Sequence, residues 1–138
     1  MTTTEEVRKL LASQKSDWEL LAKNHAQLES VKVRSFSING STFRLQFNPE
    51  RIRSSGANVD KKSIEARPCF LCGSNRPSEQ EQVDLPNGYE VLCNPFPIFS
   101  EHLTITRKEH VPQRIHGEFS ALLEISRLLP DFIHFYNG

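Results

Sequence analysis

The chain has 138 residues and a mass of 15.8 kDa, room for one domain with one core and too little for two. Its 17 Lys and Arg balance 17 Asp and Glu, which argues against a polycationic nucleic-acid binder and against an acidic tail protein. Apolar residues make up 37% and no apolar run approaches the ~20 residues that span a bilayer, so a globular domain with no membrane partner is expected. The N-terminus has no basic segment leading into an apolar stretch, and three cysteines are an odd count for a disulfide framework. A reducing compartment, the cytoplasm, is the expected location. Charge is uneven: residues 32–76 hold nine basic and three acidic side chains, and residues 77–101 hold five acidic and no basic ones. Such a basic segment either faces a phosphorylated ligand or is a solvated surface.

Residues 4–28 read as an amphipathic helix, which with its lead-in forms an N-terminal unit over 1–30. Val7, Leu10, Leu11, Trp18, Leu21, Ala22 and Leu28 recur at helical spacing, with Leu20 beside the stripe. Thr3 and Glu6 have capping-box spacing. The stripe must meet a sheet or a second copy of the chain, because leaving it in water would expose an unusually large apolar patch. A β-hairpin over 31–48 follows: strands 31–38 and 41–48 flank Asn39-Gly40, a pair suited to positive backbone angles. Phe43, Leu45 and Phe47 alternate with Thr42, Arg44 and Gln46, which predicts one buried and one polar face. Residues 49–60 read as a loop, either a plain connection or a cover for a ligand. Lys61–Ala66 reads as a helical turn and 74–82 as polar and irregular. Strands are expected over Tyr89–Cys93, 102–106 and 132–136, and a second helix over 118–129 with Phe119, Leu122, Leu123 and Leu129 on one face and Pro130 as its stop. The order predicts an α+β domain over 1–138 with a largely antiparallel sheet and flanking helices.

Cys69-Phe70-Leu71-Cys72 is the sharpest local feature. Two thiolates at this spacing can hold one tetrahedral zinc, which needs two more ligands. A redox pair and two unligated cysteines are the other readings. Among five histidines, His110 follows a strand, where a ligand side chain can project. His25 reads as core edge and Cys93 as a small buried hydrophobe. No glycine-rich phosphate loop is present, and no catalytic triad can be read from residue order.

The ordered set over residues 67–138 carries a resemblance. It comprises Cys69-Phe70-Leu71-Cys72, a strand ending in Asn94-Pro95-Phe96, a strand leading to Glu109-His110, a helix, and Phe135-Tyr136-Asn137-Gly138. This resembles the galactose-1-phosphate uridylyltransferase branch of the histidine-triad superfamily, which includes ATP adenylyltransferases and GDP-hexose phosphorylases. The resemblance implies a histidine-triad-like fold, incomplete here, and a structural zinc on Cys69, Cys72 and His110. It implies a nucleoside pocket lined by Leu71, Leu92, Asn94, Pro95, Phe96 and Leu103, with Asn137 ahead of a phosphate loop. The activity implied is nucleotidyl transfer or nucleotide-sugar phosphorolysis through a nucleotidyl-histidine. The partners implied are a nucleotide or nucleotide sugar and a phosphate-bearing acceptor. The nucleophile of a His-x-His-x-Gln segment, and with it the fourth zinc ligand, is expected after Gly138. The chain is therefore expected to be inactive alone, with zinc incompletely held. The rival expectation is a non-catalytic, zinc-stabilised binding or interaction module that pairs through its first helix.

Overall fold

The computed structural model describes residues 1–49 and 60–136. The loop expected over 49–60 falls outside them except at its two ends, and so does Asn137. The described residues form an α+β fold with two small antiparallel sheets. The elements are α1 (Thr3–Asp17), α2 (Glu19–Ala26), β1 (Lys32–Ile38), β2 (Ser41–Phe47), α3 (Lys61–Ala66), β3 (Gln82–Leu85), β4 (Tyr89–Cys93), β5 (Leu103–Arg107) and α4 (Phe119–Leu128). No helix among the described residues is long and apolar enough to cross a membrane.

The first helical stretch forms where the apolar spacing places it, with two corrections. The capping box uses Thr2 and Glu5 rather than Thr3 and Glu6: the Thr2 hydroxyl accepts the Glu5 amide at 3.3 Å, and the Glu5 carboxylate accepts the Thr2 amide at 2.6 Å. Thr-x-x-Glu occurs at both positions, so spacing alone cannot choose between them. The helix also breaks at Trp18, whose φ of −115° and ψ of 101° are extended. Its amide still bonds to the Gln14 carbonyl and its carbonyl accepts the Ala22 amide, both at 3.0 Å. The break turns the chain while Val7, Leu10, Leu11, Trp18 and Leu21 all remain buried; Leu20 is exposed.

The second sheet has the order β3-β4-β5, and every position of its central strand is buried. Its register pairs Val83 with Val91, Val91 with Ile105, and Cys93 with Leu103. Those residues, with Leu85 and Tyr89, make one face, because side chains alternate along a strand. That face receives Val7 of α1 together with Ile125 and Leu129 at the far end of the chain, while Leu10, Leu11, Trp18 and Leu21 gather beside Cys93. Gln14, 1% exposed, ties α1 to the lead-in of β3: its amide nitrogen donates to the Glu79 carbonyl at 2.7 Å and its oxygen accepts the Glu81 amide at 3.1 Å.

Four further expectations need correction. The hairpin forms around Asn39-Gly40, both at positive φ, but neither of its faces is buried. Phe43, Leu45 and Phe47 remain 47%, 60% and 55% exposed, because two strands alone cannot cover their own apolar face. Phe36 and Phe43 stack across the ladder at 5.6 Å, and Gln46 reaches the Ile98 carbonyl at 2.8 Å. In the last helix Phe119 and Leu123 point outward, and the buried side is Ile125 and Leu129 with Ala121 and Leu128. Residues 132–136 form no strand; Phe132 instead bonds back to Leu129 and packs on the core beneath the Arg8 guanidinium. Finally, β3 begins at Gln82, at the end of the stretch expected to be irregular. A turn with positive φ at Asn87 and Gly88 joins it to β4.

Candidate metal centre and the sheet face beside it

The other face of the β3-β4-β5 sheet carries Gln82, Asp84, Glu90, Leu92, Thr104 and Thr106, which alternate with the core residues. The segment from Arg67 to Arg76 is tied to this face. Within it the backbone is held locally: the Cys72 amide bonds the Cys69 carbonyl at 3.2 Å, and the Asn75 amide bonds the Cys72 carbonyl at 2.9 Å. The Asn75 side chain donates to the Cys69 carbonyl at 2.9 Å, which closes the knuckle. Three residues after β5 the chain delivers His110, and its Nδ1 lies 3.1 Å from the Cys72 sulfur.

Cys69, Cys72 and His110 thus present two sulfurs and one ring nitrogen within 4.8 Å of one another. Among the described residues they are the one cluster of three such side chains that could hold a metal ion. The donor set suits a thiophilic metal with tetrahedral preference: at Zn–S ~2.3 Å and Zn–N ~2.0 Å, small side-chain rotations close these atoms around one ion. The cysteines are half-buried and His110 is exposed, so an ion could reach these three side chains from solvent. The two thiols differ. Burial pushes the Cys69 thiol up, but the Leu71 amide, the Cys72 thiol and amide and the Arg76 cation outweigh it and bring the group below its usual range. Burial, and then the neighbouring Cys69, push the Cys72 thiol up. Cys69 therefore gives up its proton more readily than Cys72, and metal binding requires both thiols as thiolates.

The expected pocket residues separate into two groups. Leu71 and Leu92 lie on the side of the knuckle, with Leu92 fully buried. Asn94 follows on that side: its amide nitrogen donates to the Thr104 hydroxyl at 3.3 Å, and its side-chain oxygen accepts the Phe96 amide at 2.9 Å. Asn94 thereby shapes the turn that carries Pro95, half-buried, and Phe96, 47% exposed. Leu103 stands opposite Cys93 and packs among the helices, so the structure does not bring it to the face that carries Leu92. Cys93 is wholly buried, as expected, and burial drives its thiol up to about 11.

Two residues of this face went unread in the sequence. Glu90 is 2% exposed and pairs with the Arg76 guanidinium, which also bonds the Leu71 carbonyl. The available signal was a lone carboxylate inside the apolar run Tyr89–Cys93, a position that requires a partner.

His25 lies near this region on α2, one residue after Asn24, whose side chain donates to the Pro95 carbonyl at 2.6 Å. Among the described residues its Nε2 is buried without a hydrogen-bond partner. Burial, then Lys15 and His102, push its pKa down from 6.5 to about 4. The native state therefore holds His25 neutral where the unfolded chain already takes up a proton. Stability from this group is complete above about 6.5 and falls as pH drops toward 4. Thermal melts from pH 7 to pH 4 should show a steeper loss for the natural chain than for His25→Gln. Parallel curves would show that His25 does not contribute.

Comparison with curated proteins and comparison with solved structures return no match. One family model matches residues 10–138, which covers the helical stripe from Leu10 onward, the hairpin, the cysteine knuckle and the whole three-stranded sheet. The chain therefore belongs to the family described as domain of unknown function DUF4922.

Proposed function

We propose that this chain forms the first part of a nucleotidyltransferase or nucleotide-sugar phosphorylase site, with a structural zinc on Cys69, Cys72 and His110. The supporting observation is convergence. Side chains 38 residues apart meet at one point, and the segment Asn94-Pro95-Phe96 leaves the same sheet face. When bound, the zinc fastens the knuckle to the segment after β5. The chain's own residues then do the binding: Leu71 offers apolar surface to a base and Asn94 holds the turn that presents Phe96, while Leu92, fully buried, has no surface to offer a ligand. In such a site a ring nitrogen of a histidine would attack the α-phosphorus of the nucleotide sugar. The bond from that phosphorus to the bridging oxygen breaks, and the sugar phosphate leaves with the electron pair. Inorganic phosphate or a second phosphate-bearing acceptor then takes the nucleotide from the nitrogen.

The test is ligand-induced stabilisation of the zinc-loaded chain by uridine, guanosine and adenosine diphosphate sugars. A raised melting temperature with one of them is expected, with affinity lost in Asn94→Ala and the ligand-free melting temperature kept within a few degrees. No response to any nucleotide would overturn the reading. A large stability loss in Asn94→Ala with unchanged binding would make Asn94 purely a turn residue.

A second reading is a non-catalytic, zinc-stabilised interaction module, and the open apolar face of the hairpin favours it. The α1 stripe that such a module was expected to use is committed to the core. Phe36, Ile38, Phe43, Leu45 and Phe47 of β1 and β2 share one exposed face that such a partner would cover.

A further inference from the structure

Glu90 sits in the middle of the fully buried strand β4, between Asp84 and Thr106 of the neighbouring strands. A carboxylate there needs a counter-charge, since a lone buried ion costs several kcal/mol. Arg76 supplies it, and its own side chain is 6% exposed. Yet a buried ion pair is a poor stabiliser compared with apolar residues of the same volume. Stability alone does not account for it. The remaining donors of the guanidinium do. Nε donates to the Leu71 carbonyl at 2.7 Å, Nη2 donates to the same oxygen, and Nη1 donates to the Gln82 side chain at 3.1 Å.

Leu71 lies between the two cysteines. Its carbonyl shares a rigid peptide plane with the Cys72 amide, and that amide turns back onto the Cys69 carbonyl. Clamping one oxygen therefore orients the peptide that joins the halves of the knuckle. The planar fork of an arginine can hold that oxygen from two nitrogens, which a lysine cannot. Glu90, anchored in the sheet, prevents the guanidinium from swinging away.

We propose that the Arg76–Glu90 pair is a positioning device that holds the Leu71 carbonyl and so pre-sets the Cys69–Cys72 knuckle for metal. This rests on the zinc reading above and extends it to two residues that donate nothing to the metal themselves. Outer partners of this kind commonly govern 10- to 100-fold in metal affinity.

The test is titration of the reduced, full chain with Co²⁺, whose thiolate absorption reports the ligand set, followed by displacement with Zn²⁺. Metal-free melting temperatures are measured in parallel in chelator. Arg76→Lys keeps the charge and loses the fork; it should bind Co²⁺ about 10- to 100-fold more weakly. Arg76→Met combined with Glu90→Leu replaces the pair by apolar volume. It should keep the metal-free melting temperature near that of the natural chain while metal affinity falls by a similar factor. Natural-chain affinity in either variant would overturn the proposal and leave the pair a core ion pair. Absence of Co²⁺ and Zn²⁺ uptake by the natural chain itself would instead sink the zinc reading, and this inference with it.

Discussion

Loading the reduced protein with zinc is expected to raise its melting temperature by about 10 °C, and Cys69→Ser is expected to abolish the gain. The ion would join the 69–72 knuckle to His110, whose Nδ1 already lies 3.1 Å from the Cys72 sulfur. A ligand that binds only the native state stabilises by about 2.7 kcal/mol when supplied at about 100 times its dissociation constant. In a domain of this size about 1 kcal/mol moves the midpoint by roughly 3–4 °C. Elemental analysis should find about one zinc per chain in the natural protein and none in Cys69→Ser. His110→Ala should lower affinity without abolishing it, since both thiolates remain. Three protein ligands leave one of the four zinc positions to water, so affinity should also lie below that of a closed four-ligand site. A natural chain that takes up no zinc at micromolar concentration would refute the assignment. The nucleotide reading would then rest on the Asn94–Phe96 segment.

What could be read from the sequence was whatever a short window determines. Asn39-Gly40 specifies its own turn, and the two strands beside it form at once, because positive φ at consecutive positions leaves few other outcomes. The stripe from Val7 to Leu21 specifies a buried helical face in the same way. Cys69-x-x-Cys72 declares a metal-ligand spacing, and His110 stands where a strand end projects it. What could not be read depends on neighbours distant in sequence. The alternation in β2 marks an apolar face but says nothing of what, if anything, covers it. The same period of two appears at residues 132–136, where Phe132 and His134 are half-buried and Ile133 and Phe135 are exposed, yet no ladder forms. Trp18 ends one helix and precedes another through its tertiary seat, since no proline or glycine stands near to announce the break. Arg76 and Glu90 are 14 residues apart, and only the fold shows that they share a buried site.

That seat of Trp18 predicts the largest loss of stability from a single substitution in the helical layer. The indole is 3% exposed and packs in one cluster with Leu10, Leu11, Leu21 and Cys93. Truncation to alanine removes its transfer free energy and leaves a cavity between α1, α2 and the Cys93 end of the central strand. Buried Trp→Ala changes of this kind cost about 3–5 kcal/mol. Alanine also favours continuous helix, so the variant loses the residue that holds the extended angle between α1 and α2. The melting temperature of Trp18→Ala should therefore fall by roughly 10–20 °C. Two comparisons isolate the cause. Leu20→Ala, on the solvent side of the same turn, should stay within about 0.5 kcal/mol of the natural chain. Trp18→Phe keeps an aromatic ring in the cluster and should recover most of the loss. If Trp18→Ala melts within 2–3 °C of the natural chain, the indole does not seat α1 and α2 on the sheet, and the packing of this layer must be carried by the leucines alone.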